Sequence, residues 1–337
     1  MPFLHLLPSH YLHDRLPLLS SYAYQHSTQL PGSPQYDRPH HPIYYLAEEA
    51  RTRFEASQRH QSRSLVEAVA EYERRYGHSP PPGFDKWYDF VVENNVRFID
   101  EYDFMTSLDL YWHVSPKVLR DYVEQASSMP SASSRLAILE IKDRQANLRN
   151  GNHQHGQLVR LLQSVMEFLP DVRMLLNNLD EPRVIVPHDV LRSPLPTKSP
   201  TTQNLDGPTG QTASFSFTDL GRQKPFETII LSCPADSPVR STSTQAGLPN
   251  PNIPFISNIT DARDVCQSPA SIADQHGLLN SPGTFLFTHQ LVPIACTGKI
   301  STFQDVVFPS SYYFQDDVSD YDASWDRPWE EKEDVVY

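Results

Sequence analysis

Residues 158–187 of the chain read LVRLLQSVMEFLPDVRMLLNNLDEPRVIVP. Pro170 ends any helix that precedes it, because proline has no amide hydrogen and its ring clashes with the preceding turn. Residues 174–176 are too few for a second helix and show no polar alternation, so they predict a strand covered on both faces, as in a parallel sheet with helices around it. Before the proline, apolar side chains recur at the i, i+3, i+4, i+7 spacing of a helix on a core: Leu158, Leu161, Leu162, Val165 and Phe168.

Asp180 follows the predicted strand at its carboxyl end. In open α/β sheets, ligands bind at that end, because the loops that leave the strands line the crevice there. A carboxylate in such a loop can act as a general base that takes a proton from an attacking hydroxyl group. The alternative interpretation is structural, since Asn178, Asp180 and Pro182 are common turn formers and Asp180 would then only cap the loop. The residues alone leave both interpretations open.

Composition narrows the class of protein. The 337 residues, of which 39% are apolar, suffice for two domains or one large one. The 28 basic and 41 acidic residues give a net charge of −13, which argues against a nucleic-acid partner, because such proteins present a basic face. The sequence contains no Walker loop, no Rossmann glycine fingerprint and no Gly-x-Ser-x-Gly elbow. No apolar stretch approaches the roughly 20 residues that a membrane span requires.

The pattern along the chain predicts three regions. Residues 1–40 are rich in Pro, His, Ser and Tyr and predict a disordered extension. Residues 41–128 have helical periodicity, interrupted at Gly77, and predict a helical section. Residues 129–337 alternate short apolar runs with polar loops and predict an α/β domain. Inside that domain we interpret residues 192–226 as a flexible surface insertion, because Pro, Thr, Ser, Gly and Gln dominate them.

Shorter patterns predict individual elements. Residues 135–141 and 228–231 are apolar runs of strand length, and residues 150–156 form a polar loop. Ser115 and Pro116 combine an N-cap with proline at the first helical position, so they predict the start of a helix. A third short helix is predicted to bury an aromatic stripe, which we interpret as core rather than as a sugar-stacking surface. That stripe comprises Phe84, Trp87, Tyr88, Phe90 and Val91.

Cysteine and histidine residues give no metal-site pattern. Three cysteines are too few for a disulfide scaffold and lack the close pairing of a zinc site. A bridge between Cys233 and Cys266 would require an oxidising lumen, and it would stabilise the fold by roughly 3–4 kcal/mol on the loop-closure estimate. His153 and His155 lie in one loop that supplies no third ligand. We therefore predict no metal ion bound to these residues.

Several strings, in the same order along the chain, resemble the fungal branch of glycosyltransferase family 90. This family contains the capsule-associated, lipopolysaccharide-modifying proteins and is related to the animal protein O-glucosyltransferases. The similarity runs from about His41 to Tyr337. The strings that carry it are RRYG (74–77), PPPGFDKW (80–87), IDEYD (99–103), LPD (169–171), NNLDEPRV (177–184), KISTF (299–303) with Asp305, and PWEEK (328–332).

The resemblance implies a fold and an activity. Members of the family have two Rossmann-like domains that face each other across a cleft, the GT-B arrangement. They transfer a sugar from a UDP-sugar with inversion, and the aspartate that matches Asp180 is the catalytic base in the animal relatives. Lys299 and Ser301 match a segment near the substrate cleft. The resemblance further implies glucose or xylose as the transferred sugar, a glycan or glycoprotein acceptor, no metal cofactor, and a place in the Golgi or secretory-pathway lumen.

The chain also departs from the family pattern. Family members continue, after the segment that matches PWEEK, into an aromatic-Arg-Gly strand and the donor-binding domain, and they carry an amino-terminal membrane anchor. Neither feature is found in the 337 residues, so we expect a partial glycosyltransferase domain that is inactive alone. The Asp-x-Asp triplet at residues 320–322 resembles a metal-binding motif of some glycosyltransferases, but such triplets are frequent in acidic tails. The alternative function is a non-catalytic protein that binds the acceptor or regulates a related enzyme.

Overall fold

The structure is a computed structural model that describes residues 42–192, 215–240, 259–267, 272–273, 277–280, 285–310, 324 and 326–333. The predicted extension (1–40), residues 193–214 of the predicted insertion and the Asp-x-Asp triplet (320–322) lie outside the described residues. Within those ranges, no helix is both long enough and apolar enough to cross a membrane.

The first part of the described chain is helical, as predicted. Ser64 caps the second helix by accepting the amide hydrogen of Glu67, and Gly77 ends it in the left-handed conformation with φ of 72°, which glycine adopts without steric strain. The predictions of helices that stop at Gly77 and begin at Pro116 are confirmed. The elements are α1 (Pro42–Arg59), α2 (Leu65–Tyr76), α3 (Phe84–Glu93), a 3-10 helix (Asp103–His113), α4 (Pro116–Ser128) and α5 (Ser131–Ser134).

Aromatic rings hold this helical section together. Tyr72 of α2 is buried, and the centroid of its ring lies 5.4 Å from that of Phe84 and 5.5 Å from that of Tyr102. Trp87 lies 5.5 Å from Tyr102 on the same measure. Phe84 and Trp87 are only half-buried and Phe90 is exposed, so the predicted stripe on α3 is core on one side only.

The central sheet is mixed rather than wholly parallel. Its five strands have the order β2-β1-β3-β6-β7. β1 pairs antiparallel with both β2 and β3, whereas β3 pairs parallel with β6 and β6 parallel with β7. A separate two-stranded sheet pairs β4 with β5. The strands are β1 (Leu136–Lys142), β2 (Gln145–Arg149), β3 (Val172–Asn177), β4 (Thr218–Asp219), β5 (Leu286–Phe287), β6 (Ile294–Cys296) and β7 (Val306–Val307).

The helix and strand predicted around Pro170 are both present. α6 (His153–Leu162) continues into a 3-10 helix (Gln163–Phe168) that ends before the proline, and β3 follows. The polar loop predicted for residues 150–156 is wrong at its second half, because α6 already begins at His153. Asn152 starts it there by accepting the amide hydrogen of His155 at 3.1 Å, while the His155 ring accepts the Asn152 amide hydrogen.

Both faces of the sheet are buried. Along β1, Leu136 and Ile138 belong to a core with α4 on one face, and Ala137, Leu139 and Ile141 belong to a core with α6 on the other. Such alternation between two covered faces is what the unbroken apolar runs of β1 and β3 predict. The mixed α/β class with a preceding helical section is thus established.

The strand predicted for residues 228–231 is wrong. This run forms α8 (Phe226–Ile229) and a 3-10 helix (Ile230–Ser232), after α7 (His188–Arg192). Phe226, Ile229 and Ile230 are buried, and a short apolar run that is buried all round has no periodicity that distinguishes helix from strand.

A third core lies around α8 and contains the disulfide bridge Cys233–Cys266, so the bridge considered from the sequence is present. The last short helices of the described chain are α9 (Ile259–Arg263), a 3-10 helix (Val265–Gln267), α10 (Gly277–Asn280) and a 3-10 helix (Trp329–Glu331).

Candidate functional site

Two loops leave the same edge of the sheet. β3 and β6 are parallel neighbours, with Leu176 opposite Ala295, so the loops that follow Asn177 and Cys296 start at one edge. Asp180 lies three residues after the end of β3, and Lys299 lies three residues after the end of β6. The carboxyl ends of parallel strands are where α/β folds bind their ligands.

The loop that carries Asp180 is braced by two asparagines. Asn177 donates from Nδ2 to the carbonyl oxygen of Glu181 at 2.7 Å, and its Oδ1 accepts the amide hydrogen of Leu179 at 3.1 Å. Asn178 donates from Nδ2 to the carbonyl oxygen of Asn150 at 2.9 Å. These bonds fix the backbone on both sides of Asp180.

Asp180 itself takes no part in this bracing. Its side chain is exposed, and within the described part of the chain it has no hydrogen-bond or ion-pair partner. The structural interpretation, in which Asp180 caps its own loop, therefore finds no bond to support it. The carboxylate is accessible on a fixed backbone, which is the arrangement that a proton acceptor requires.

A buried charged pair lies directly after this loop. Arg183 and Asp305 are both completely buried. The Asp305 carboxylate accepts the Arg183 amide hydrogen at 2.9 and 3.0 Å and the Val184 amide hydrogen at 2.8 Å. The carboxylate is therefore held by backbone donors, and it keeps the start of residues 183–186 against the segment that leads into β7.

The guanidinium group of Arg183 points to other partners. Its Nε donates to the carbonyl oxygen of Leu286 at 3.0 Å and its Nη1 to that of Arg135 at 3.3 Å, while the Phe217 ring centroid lies 3.9 Å from the guanidinium carbon. Its Nη2 is buried without a hydrogen-bond partner among the described residues. Burial lowers the pKa of Arg183 to about 9, although the charge of Asp305 opposes this change.

Burial also shifts the pKa of Asp305, the acid of the pair. It raises the pKa of Asp305 to about 6, and the backbone donors of Val184 and Arg183 and the charge of Lys299 oppose the rise. The pKa of the neighbouring Cys296 thiol rises to about 12, chiefly through burial, so this cysteine is a neutral core residue rather than a nucleophile.

Lys299 and Ser301 are engaged with the protein interior. The Lys299 ammonium donates to the backbone carbonyl oxygen of Asp305 at 2.8 Å, and burial lowers the pKa of Lys299. Ser301 Oγ accepts the amide hydrogen of Val265 at 2.9 Å and so ties down the segment next to the disulfide. Across the described residues, no direct contact joins either side chain to Asp180.

No protein-family model, curated protein or solved structure matches the chain. The family resemblance thus stays a prediction that rests on the sequence strings.

The fold groups five of those seven strings into two clusters. Tyr76 of RRYG donates to the carbonyl oxygen of Tyr102 in IDEYD at 3.2 Å, and Trp87 of PPPGFDKW packs on the Tyr102 ring. NNLDEPRV supplies Arg183 to the buried pair, and the KISTF segment supplies Lys299. Strings far apart in the sequence therefore share contacts.

Sequence reasoning missed Asp109. This half-buried residue lies in the 3-10 helix Asp103–His113, and burial raises the pKa of its carboxyl group, while the charges of His113, His78 and Lys299 lower it. The pKa of Asp109 is thus influenced by charges of the helical section and by that of Lys299, which follows β6. No local motif could have indicated it, because only His113 is near it in the sequence, whereas His78 and Lys299 come from distant parts of the chain.

The two histidines considered as metal ligands lie in the first turn of α6. His153 Nε2 lies 2.7 Å from Gln157 Nε2, and buried His155 belongs to the helix cap. Burial lowers the pKa of His155. Within the described ranges, no three His, Cys, Asp or Glu side chains are grouped so that they could hold a metal ion.

Proposed function

We propose that this protein is an inverting glycosyltransferase that transfers glucose or xylose from a UDP-sugar to a hydroxyl group of a glycan or a glycoprotein. The proposal includes the GT-B arrangement, in which the mixed sheet belongs to the acceptor-side domain. The sugar nucleotide is a co-substrate, and no metal takes part.

One observation carries the proposal. Asp180, the residue that the family resemblance marks as the base, is exposed and unpaired among the described residues, on a loop that two asparagines fix at the shared edge of β3 and β6. A general base must be accessible to the acceptor hydroxyl and held in one geometry. The Asp180 loop meets both requirements.

The proposed step balances as a single displacement. The acceptor oxygen bonds to the anomeric carbon from the face opposite the diphosphate, and the bond from that carbon to the diphosphate oxygen breaks. The acceptor proton passes to the Asp180 carboxylate, and the diphosphate leaves with the bonding electrons. Such a base contributes about 100- to 10,000-fold in rate.

The charged pair beneath the edge has a supporting role in this proposal. The Asp305 carboxylate holds the backbone at Arg183 and Val184, directly after the Asp180 loop, and the Asp305 carbonyl oxygen accepts a hydrogen bond from the Lys299 ammonium. We assign Lys299 a substrate-binding role, because its cation lies in the second loop of the shared edge. Ser301 supports that loop through its bond to Val265.

The disulfide supports the location that we propose for the protein in the cell. Bridges such as Cys233–Cys266 persist in oxidising environments and are rare where thiols are kept reduced. The proposed location is therefore the lumen of the Golgi or another part of the secretory pathway.

The test is a transfer assay on the protein encoded by the full-length transcript. UDP release is measured with UDP-glucose and UDP-xylose on a panel of glycan and glycoprotein acceptors, and NMR identifies the anomeric configuration of the product. We expect acceptor-dependent UDP release with inversion. Retention of configuration, or no UDP release with any pair, would overturn the proposal, and acceptor binding without release would favour the non-catalytic alternative.

A further inference from the structure

An exposed tryptophan is fixed next to the end of α2. Trp112 is 57% exposed, and its ring centroid lies 4.3 Å from that of His78. His78 is itself in ring contact with buried Tyr72 at 5.6 Å. The indole is thus supported by tilted and edge-on ring contacts that reach the aromatic core, so its position is set before any ligand arrives.

A polar depression adjoins this ring. It is lined by Glu73, Arg74, Gly77, His78 and Ser79, and its volume is about 450 Å³. Small-molecule sites commonly measure about 300–1,000 Å³. An aromatic face beside hydroxyl, carboxylate and imidazole groups is suited to a ligand that has an apolar face and a polar rim, and a sugar ring has both.

The charges around the depression already neutralise one another. Arg74 donates from Nε and Nη2 to Glu71 at 2.6 and 2.7 Å, and Arg75 donates to the same carboxylate at 2.7 Å. Glu73 accepts from the Ser79 hydroxyl at 2.8 Å. The two arginines share Glu71, and Glu73 adds a second carboxylate, so two positive and two negative charges balance and the depression favours a neutral sugar over an anionic one.

The 3-10 helix that carries Trp112 is bonded to the sheet, because Ser107 Oγ accepts the amide hydrogen of Val307 in β7 at 3.2 Å. The charge of half-buried Asp109 interacts with His78 on one side and with Lys299 on the other. The hydroxyl oxygen of Tyr111, the neighbour of Trp112, lies 2.9 Å from the carbonyl oxygen of Val292 and 2.8 Å from that of Gln304, so the segment that carries Trp112 is bonded to the segments that lead into β6 and β7.

We propose that Trp112 and His78, with the depression beside them, bind a neutral sugar ring of the acceptor. This inference takes its ligand class from the proposed transferase function, and it adds the place where the acceptor docks. The exposed face of the Trp112 indole stacks on the sugar ring, and His78 holds the indole in place. Glu73 and Ser79 form hydrogen bonds with the sugar hydroxyl groups at the rim.

The test measures binding without any sugar nucleotide. The full 337-residue chain is titrated with xylotetraose, cellotetraose and mannotetraose, and with tetragalacturonate as the anionic counterpart, by ligand-observed NMR and calorimetry. The variants are Trp112→Ala, Trp112→Phe and the matched control Trp329→Ala, which removes a tryptophan that is 79% exposed elsewhere in the chain. Thermal unfolding verifies that each variant is folded.

We expect saturable binding of at least one neutral oligosaccharide, weakened about tenfold by Trp112→Ala, weakened less by Trp112→Phe and unchanged by Trp329→Ala. Absence of saturable binding up to about 10 mM, equal binding by Trp112→Ala, or preference for tetragalacturonate would overturn the inference. Its failure is distinct from failure of the proposed function. Binding through Trp112 without transfer would refute only the transferase, whereas transfer with an acceptor KM that Trp112→Ala leaves unchanged would refute only the sugar site.

Discussion

The loops that carry Asp180 and Lys299 leave the same edge of the sheet but treat their charged groups in opposite ways. Asp180 is exposed and unpaired among the described residues, and its neighbours Asn177 and Asn178 hold the loop. Lys299 is half-buried and bonds to the backbone of completely buried Asp305. The difference lies in the surroundings of the two charges: the Asp180 carboxylate is open to solvent, and the Lys299 ammonium is bonded to the protein interior.

Removal of the buried carboxylate tests this division most severely. Asp305→Ala leaves the amide hydrogens of Arg183 and Val184 unpaired and the Arg183 charge uncompensated. We expect the free energy of unfolding to fall by about 3–5 kcal/mol, as when one partner of a buried pair is removed. Urea denaturation measures the loss. The matched control Asp236→Ala removes an exposed carboxylate, and an equal loss in both variants would refute the structural assignment of Asp305.

The disulfide gives the second largest effect. The bridge closes a loop of 33 residues and lies in the third core, to which Ser301 is tied through Val265. We expect the double variant Cys233→Ala, Cys266→Ala to lose about 3–4 kcal/mol of unfolding free energy relative to the unaltered chain under oxidising conditions. Its stability should be the same under reducing conditions, whereas the control Cys296→Ser keeps the bridge and should lose stability when the bridge is reduced. A double variant as stable as the unaltered chain would show that the bridge contributes nothing to the fold.

The pH dependence of stability follows from the raised pKa of Asp305. A group with a folded pKa of about 6 and an unfolded value of 3.8 binds more protons in the folded state between these values. Its contribution is therefore complete below about pH 4 and is lost as the pH rises through about 6. We expect a decrease of about 2–3 kcal/mol over this window, as an order of magnitude, relative to Asp305→Asn. Identical pH profiles for the two proteins would contradict the assignment.

The smallest effect is expected where the Asp180 loop is braced. Asn177→Ala removes the bonds to Glu181 and Leu179, and we expect a loss of about 1–2 kcal/mol in unfolding free energy. Asn177→Asp keeps the acceptor for Leu179 but loses the donor to Glu181. Its unfolding free energy should therefore lie between those of the unaltered chain and Asn177→Ala. Asn94→Ala, which removes an exposed bond to Phe90 on α3, is the control. If these bonds position Asp180 for catalysis, sugar transfer should be slower in both Asn177 variants and unchanged in Asn94→Ala.

Local patterns predicted the elements of the fold well where one signal dominated. Pro170 and the apolar spacing before it predicted that a helix ends and a strand begins there, as α6 and β3 do, and Gly77 predicted the end of α2. Residues 228–231 were assigned to the wrong element, because a run of four apolar residues fits a buried helix as well as a strand. The antiparallel pairing of β1 with β3 could not be predicted, because an apolar run does not encode the direction of its neighbour.

The candidate site was only partly predictable for a similar reason. Asp180 follows a recognisable strand, so its location at the strand end could be inferred. The bond between Arg183 and Asp305 joins residues 122 positions apart, and the interaction of Asp109 with Lys299 spans a still longer separation. Only the folded chain brings such residues together, and no spacing in the sequence marks them.

The central claim, that the exposed carboxylate on the braced loop is the base, is tested most directly by the turnover of Asp180→Asn in the protein from the full-length transcript. The account predicts that kcat falls about 100- to 10,000-fold while acceptor binding and the free energy of unfolding stay unchanged. The control Asp236→Asn should keep full activity. Turnover of Asp180→Asn equal to that of the control would contradict the account.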